Sequence, residues 1–292
     1  MIDTHAHIDF EQYDQDREEV IRRAFENGIE KIINVGADME GSIGSVKLAE
    51  NHEDILASVG LHPHVFNDVS EFPISNFQFP NNFQFSNDKI SKLFNDLYQL
   101  AKKEKVVAIG EIGLDYYSHS ENPITEEQKE NQKSGFIYQI KIAEELNLPI
   151  IIHCRGVKSA EADHVPSDAY DECLEIIQNY PDQKFVFHCY GGDLEFTKKL
   201  MAKENIYFSF TGNITFAKPD SETVEVIRVI PMEKIMVETD CPFLTPVPNR
   251  GKRNEPSYVR YVCEKMAEIK EIPAKRVDEI TTQNTKKFYN LA

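Results

Sequence analysis

Two histidines separated by one residue, His5 and His7, stand at the end of the first apolar segment of the chain. In a β-strand, side chains alternate between the two faces, so both imidazoles would project from the same face, about one pleat apart. Neutral imidazole is a common ligand of divalent metal ions. The pair therefore indicates a metal site, while two idle, solvent-facing histidines at a strand end are the alternative.

Further residues of metal-ligand type follow later apolar runs. Each ends or directly follows such a run: His62, Glu111, His153, His188 and Asp240. If the runs are parallel strands of a barrel, these side chains meet at one end of it. Several imidazoles and two carboxylates exceed the four ligands of one zinc ion and suit two metal ions about 3.5–4 Å apart, bridged by a carboxylate. By residue type, Glu111 and Asp240 are both candidates for the bridge.

The identity of the two ions stays open at this point. Imidazole favours zinc, whereas carboxylates also admit magnesium or manganese. His64, two residues after His62, suits a position at the site and a position on a surface loop equally well.

Apolar runs and amphipathic stretches alternate along the chain and must position these residues. The runs predict eight strands, at 1–7, 31–36, 55–60, 106–111, 149–154, 184–189, 206–211 and 234–239. The amphipathic stretches predict helices at 16–27, 38–51, 89–103, 125–147, 169–179, after 193, and at 221–230, 258–270 and 274–289. This alternation predicts an α/β fold, a single (β/α)8 barrel of the TIM type with surface insertions, formed by residues 1–292 as one domain. A doubly wound open sheet is the alternative, disfavoured because no glycine-rich phosphate loop follows the first strand.

Local signals mark several helix starts. Thr125 and Gln128 have the spacing of a capping box, and Asp193 and Ser221 precede helices as capping residues. Two stretches break the rhythm, at 66–88, with its near-repeated Asn-Phe-Gln-Phe unit, and at roughly 156–167. We expect both to be insertions near the strand ends.

The composition limits the classes of function. The chain has 292 residues, with 32 Lys and Arg against 49 Asp and Glu and a formal net charge of -17. A chain this acidic is not expected to bind nucleic acid over a broad surface, although metal ions can supply positive charge locally. The five cysteines form no Cys-x-x-Cys pair, and Cys154, Cys189 and Cys241 are expected to face away from the pocket as small core residues.

The cysteine usage and the absence of a visible signal peptide predict an intracellular protein, in the cytoplasm or the nucleus. Because no apolar run reaches roughly 20 residues, we expect no membrane partner.

The motifs resemble those of the TatD-related metal-dependent deoxyribonucleases, within the amidohydrolase-like barrels. The similar motifs are IDTHAHID from Ile2, GLHP from Gly60, AIGEIGLDY from Ala108, LPIIIHCR from Leu148, HCYGG from His188, SFTG from Ser209, ETDCPFLTP from Glu238 and RNEP from Arg253. They follow the order of the family and span nearly the whole chain. The two insertions depart from the family pattern close to where a substrate would approach.

The resemblance implies a binuclear site and roles for individual residues. One metal ion would be held by His5, His7, Glu111 and Asp240. The other would be held by Glu111, His153 and His188, with Glu111 as the bridge. The positions around the substrate phosphate would be His62, Asp115 and Arg155.

The predicted reaction is therefore hydrolysis of phosphodiester bonds in DNA with two divalent metal ions, Zn, Mg or Mn. Asp240 could order the attacking water or accept its proton, and Arg155 could donate two hydrogen bonds to the phosphate. His62 could donate a hydrogen bond to a phosphate oxygen or protonate the leaving oxygen. Two alternatives stay open: a binuclear amide or ester hydrolase on the same barrel, and a non-catalytic metal- or DNA-binding protein.

A short basic cluster follows Asp240. The cluster consists of Arg250, Lys252 and Arg253, on a chain that is otherwise acidic. This position favours a role in contacting the DNA backbone, and a solvated loop without such a role is the alternative. Because few other basic clusters occur, we expect a short footprint on DNA. The oligomeric state is not predicted.

Overall fold

The structure, a computed structural model, describes residues 1–69, 89–118, 123–156 and 168–291. Within these ranges, eight strands form one parallel sheet in the order of the sequence. They are β1 (Ile2–Ala6), β2 (Lys31–Val35), β3 (Ile55–Val59), β4 (Val106–Asp115), β5 (Ile150–Arg155), β6 (Phe185–Phe187), β7 (Ile206–Phe210) and β8 (Ile235–Val237). The predicted (β/α)8 barrel is confirmed, since helices alternate with the strands and the sheet curves until β8 reaches β1.

The helices of the described residues agree with the predicted ones to within two residues at most ends. They are α1 (Arg17–Glu26), α2 (Met39–Asn51), α3 (Lys89–Ala101), α4 (Glu126–Leu146), α5 (Asp168–Ile177), α6 (Leu194–Met201), α7 (Glu222–Val229), α8 (Val259–Lys270) and α9 (Ala274–Tyr289). Thr125 and Gln128 form the predicted capping box, and Asp193 caps α6. Ser221 precedes α7 as expected, but its hydroxyl makes no capping hydrogen bond.

The β1–β8 seam closes the barrel without a regular ladder. Two backbone bonds cross it, from the His7 amide to the Cys241 carbonyl and from the Asp240 amide to the His5 carbonyl, each at 2.9 Å. Beside them, the Thr4 hydroxyl donates to the Val237 carbonyl at 3.1 Å. The seam therefore holds the ends of β1 and β8 together, and these ends carry three of the predicted metal ligands.

The buried carboxyl group of Asp3 lies at the same seam. It accepts hydrogen bonds from the amide and the hydroxyl of Thr239, at 2.9 and 2.6 Å. Burial raises the pKa of Asp3 to about 8, because the charged form loses its hydration.

Strand β4 is longer than predicted. We expected it to end at residue 111, whereas it continues to Asp115 and stays paired with β5 through Asp115 and Arg155. Gly113 permits this continuation, because a Cβ atom there would lie 2.0 Å from the His153 carbonyl oxygen. One strand thus carries both Glu111 and Asp115 to the barrel mouth.

Apolar side chains fill the barrel below its polar mouth. Val35, Ala108 and Met236 are fully buried there, and Phe288 of α9 packs against Tyr207 with ring centroids 5.1 Å apart. This packing gives the strand ends a rigid base. The expectations for the two insertions fall mainly on residues 70–88 and 157–167, which lie outside the described residues. No helix in the described part of the chain has both the length and the apolarity needed to cross a bilayer.

Candidate metal centre

The six predicted metal ligands meet at the carboxyl ends of the strands. His5 lies in β1, His7 just after it, Glu111 in β4 and His153 in β5, while His188 and Asp240 follow β6 and β8. The side chains of these residues are at most 15% exposed. A polar cluster buried to this degree requires partners for its donors and acceptors.

The two carboxylate oxygens of Glu111 face different sets of ring nitrogens. Its Oε1 lies 2.6 Å from His153 Nδ1 and 2.8 Å from His188 Nε2. Its Oε2 lies 3.6 Å from His5 Nε2 and 4.0 Å from His7 Nε2. A carboxylate in this position can give one oxygen to each of two ions.

Asp240 lies beside the histidines of β1. Its Oδ1 is 3.5 Å from His7 Nε2 and 3.8 Å from His5 Nε2. Its backbone has a φ of 54°, a left-handed conformation that is uncommon outside glycine, and its amide is bonded across the β1–β8 seam. Asp240 also forms a group of ligand type with His5 and His188, whereas the two oxygens of Glu111 face different pairs of ring nitrogens.

The donor set fits divalent cations. The Nε2 atoms of His5 and His7 lie 3.2 Å apart, as do Nδ1 of His153 and Nε2 of His188. Nδ1 of His7 lies 2.7 Å from the Val35 carbonyl, so a ring that donates there presents the lone pair of Nε2 to the cluster. Two of the groups of three that could hold an ion share Glu111: His5, His7 and Glu111, and Glu111, His153 and His188.

Both carboxylates of the cluster have lowered pKa values. Burial by itself would raise the pKa of Glu111, but the neighbouring His188 and His153 outweigh burial and hold it well below the usual value. For Asp240, burial is likewise outweighed, chiefly by the neighbouring His7 ring and the charges of His5 and His188. Both groups are therefore ionised at neutral pH, which is the form that binds a metal ion.

Asp115 lies behind His153 and not at the centre of the cluster. Its Oδ2 is 3.1 Å from Nε2 of His153 and 3.1 Å from Nε2 of His64. Its Oδ1 accepts a hydrogen bond from the Tyr117 amide at 2.9 Å. His64, which the sequence left open between site and surface, is thus joined to the site through Asp115.

His62 also lies beside His153, with their ring centroids 4.4 Å apart. Its Nε2 is 3.8 Å from Glu111 Oε1. Burial and then repulsion from His153 lower the pKa of His62 to about 3, so its ring is neutral at physiological pH. His62, Asp115 and His153 form a further group of ligand type. That group shares His153 with the cluster, and the Nδ1 atom of that ring already faces Glu111.

The predicted phosphate-binding cations take different positions. The Arg155 guanidinium, exposed at the end of β5, stacks over the Tyr117 ring at 3.8 Å. Arg250 stacks over the Phe216 ring, also at 3.8 Å. Lys252 Nζ lies 3.5 Å from Asn249 Oδ1.

Arg253 is directed elsewhere. It forms a two-point ion pair with Asp16 at the start of α1, at 2.9 and 2.6 Å, and its guanidinium lies over the Tyr13 ring. The structure therefore separates Arg253 from the two other basic residues of the predicted cluster.

Glu238 was not among the predicted site residues. It is 1% exposed, accepts a hydrogen bond from the Cys189 amide at 2.7 Å, and has Oε1 3.5 Å from His188 Nδ1. Strand alternation gave a usable signal, because Glu238 stands two residues before Asp240 and so belongs to the same face of an extended chain.

A (β/α)8 barrel with imidazoles and carboxylates at the carboxyl ends of its strands defines the class of metal-dependent barrel hydrolases. Comparison with known proteins agrees. The family model described as TatD related DNase matches residues 2–290, and the chain belongs to this family. The family predicted from the motifs is thereby confirmed, and the protein is a metal-dependent hydrolase.

Three relatives illustrate the similarity. The uncharacterized metal-dependent hydrolase YabD of Bacillus subtilis is 38% identical, and the match covers 100% of this chain and 99% of that protein. The Escherichia coli K12 protein named 3'-5' ssDNA/RNA exonuclease TatD is 27% identical over the full length of both chains. The crystal structure of the TatD homologue YJJV from E. coli superposes with a TM-score of 0.80 at 26% identity, covering 100% of this chain and 98% of that one.

Proposed function

We propose that the protein hydrolyses phosphodiester bonds in DNA at a site for two divalent metal ions. The observation that carries this proposal is the position of Glu111, whose two oxygens face two separate groups of ring nitrogens. The name of the E. coli relative, an exonuclease on single-stranded DNA and RNA, supports nucleic acid as the substrate class. DNA cleavage and the number of ions are parts of the proposal.

The distances support the two ligand groups that the family resemblance implies. His5, His7, Glu111 and Asp240 would hold one ion, and Glu111, His153 and His188 the other. When bound, the ions supply positive charge to the phosphate and lower the pKa of water at the site. The metal could be zinc, magnesium or manganese by the chemistry of these ligands.

The remaining steps belong to side chains of the barrel mouth. The ionised carboxylate of Asp240 orients the attacking water and accepts its proton. The neutral ring of His62 donates a hydrogen bond to a phosphate oxygen, and Arg155 donates two from its planar guanidinium. We do not expect Asp115 to bind the phosphate, because its anionic carboxylate would repel it. Asp115 instead positions His153, which it contacts directly.

An assay on metal-reconstituted protein tests the function. End-labelled single- and double-stranded DNA are incubated with protein that has been stripped with EDTA and reloaded with Zn, Mg or Mn, beside a panel of amides and esters. We expect cleavage of DNA that EDTA abolishes and added metal restores. Hydrolysis of amides or esters without cleavage of DNA would replace the proposal with the alternative of an amide or ester hydrolase.

The Glu111→Gln variant tests the bridge. It keeps the shape of the side chain and removes its charge, so we expect loss of at least one metal ion per chain and of most activity. Elemental analysis should approach two ions per chain for the wild type. Full activity at one ion per chain, or an unchanged metal content in the variant, would contradict the bridging role.

A further inference from the structure

The connection that follows Asp240 exposes apolar side chains at the barrel mouth. Phe243, Leu244 and Val247 are 50%, 36% and 46% exposed. Phe216 is 44% exposed and ends the short 3-10 helix Gly212–Phe216. This connection contacts that helix through the Val247 amide, which donates to the Thr215 hydroxyl. These four are the majority of the six large exposed hydrophobic side chains among the described residues. Concentrated apolar exposure of this kind is typical of a binding surface.

Phe243 has a fixed backbone beneath its exposed ring. Its amide donates to the Asp240 carbonyl at 2.9 Å, and its carbonyl accepts from the Asn254 side chain at 2.6 Å. The same Asn254 amide group donates to the Thr239 carbonyl, and Asn254 is fully buried. An aromatic ring on such a support binds a flat partner at a low entropic cost.

The ring of Phe243 lies next to the proposed metal centre. Its centroid is 6.5 Å from that of His7 and 6.2 Å from that of Phe10. Phe10 in turn stacks on His7 at 4.7 Å. The base of a nucleotide whose phosphate is bound at the centre would therefore meet this aromatic pair.

We propose that the Phe243 ring is a stacking surface for an unpaired nucleobase beside the scissile phosphate. This inference rests on the proposed phosphodiester hydrolysis and adds a base-binding subsite to it. Aromatic rings stack on unpaired bases with little regard to sequence, whereas a duplex keeps the faces of its bases covered. Arg250 and Lys252 on the same connection supply positive charge for neighbouring phosphates, which suits a polynucleotide better than another apolar partner.

Matched oligonucleotides separate the stacking role from catalysis. One single-stranded substrate carries a normal nucleotide beside the bond that the wild type cleaves, and the other carries an abasic tetrahydrofuran residue at that position. We compare wild type, Phe243→Leu, which removes the ring, and Phe243→Tyr, which keeps it. Val229→Ala, at an exposed apolar position on α7, is the control.

With metal-loaded protein, we expect Phe243→Leu to lower kcat/KM about tenfold on the normal substrate, chiefly through KM. It should change cleavage of the abasic substrate less than about twofold, since a substrate without the base has no stacking to lose. Phe243→Tyr and Val229→Ala should behave like wild type, and the metal content should be unchanged. Fluorescence of 2-aminopurine at the same position should be quenched on binding to wild type and not on binding to Phe243→Leu.

Several outcomes would overturn the inference. An equal loss on both substrates, or no loss on either, would show that the ring does not recognise the base. Self-association of the wild type that Phe243→Leu abolishes, with unaltered discrimination between the substrates, would assign the surface to a second copy of the chain. Failure of the wild type to cleave either substrate would overturn the proposed function and this subsite together, whereas cleavage without discrimination overturns the subsite alone.

Discussion

At the scale of single residues, Asp240 is the group whose charge the proposed reaction needs most. It is ionised despite its burial, because the His7 ring and the charges of other nearby histidines lower its pKa. Asp240→Asn keeps the size and one possible oxygen ligand but removes the charge and most of the basicity. We expect DNA binding and at least one metal ion to be retained, while turnover falls by roughly two to four orders of magnitude.

Single-turnover cleavage, with metal content determined on the same sample, measures this effect. A metal-replete Asp240→Asn protein that cleaves DNA within a few-fold of wild type would remove Asp240 from the mechanism.

Asp115 should act through His153. Its carboxylate lies 3.1 Å from Nε2 of His153, and when that nitrogen donates to Asp115, Nδ1 carries the lone pair that faces Glu111. Asp115→Asn could present an amide N–H to the ring and favour the other tautomer. We expect the affinity for one metal ion to fall about 10- to 100-fold, as measured by titration of the metal-free protein.

The matched control is His64→Ala, which removes the other imidazole beside Asp115 and leaves the contact with His153 in place. This variant should bind both metal ions as wild type does. Equal affinities in Asp115→Asn and wild type would refute the positioning role.

At the scale of secondary-structure elements, the β1–β8 seam is the part of the barrel most dependent on side chains. Thr4 is buried, and its hydroxyl donates to the Val237 carbonyl and lies 3.2 Å from the Ser209 hydroxyl. Thr4→Val keeps the shape and removes these interactions. We expect the free energy of unfolding to fall by about 1–3 kcal/mol, because a buried polar group loses its partner.

Urea unfolding at fixed metal concentration measures the difference, and Thr281→Val serves as the comparison. Thr281 is equally buried, but its hydroxyl bonds the Val277 carbonyl one turn earlier in α9. Because that bond joins residues of a single helix, its loss should cost less than the loss at Thr4. Equal destabilisation of the two variants would show that the seam has no special importance.

At the scale of the whole molecule, the net charge of -17 opposes the approach of DNA. Local cations must then contribute to binding, and Arg250 and Lys252 are positioned differently from Arg253, which is paired with Asp16. Neutralising Arg250 and Lys252 together should weaken DNA binding and flatten its salt dependence. On single-stranded DNA, the log–log slope should change by about 0.7 for each phosphate that the variant no longer neutralises.

Binding titrations between low and moderate salt give the slopes. Arg253→Ala should change the slope less, since its guanidinium already has a carboxylate partner, and should weaken the attachment of this segment to α1 instead. An unchanged slope in the Arg250 and Lys252 double variant would show that these residues are solvated and do not contact DNA.

Much of the fold and the ligand types could be predicted from local patterns. Apolar runs, strand alternation and capping residues depend on neighbours within a few positions, so they predicted eight strands, the barrel and the placement of His5, His153 and Asp240 at strand ends. The capping box of Thr125 and Gln128 is equally local, and the structure contains it.

Contacts between distant segments required the folded chain. By residue type alone, Glu111 and Asp240 were equal candidates for the bridge, and the position of Glu111 between two groups of nitrogens depends on the registers of β4, β5 and β1. The partner of Arg253 lies 237 residues away, and Glu238 and Asp115 support histidines of other strands. Such pairings follow from strand register and barrel closure, which sum many weak interactions over the whole sheet and leave no short signature in the sequence.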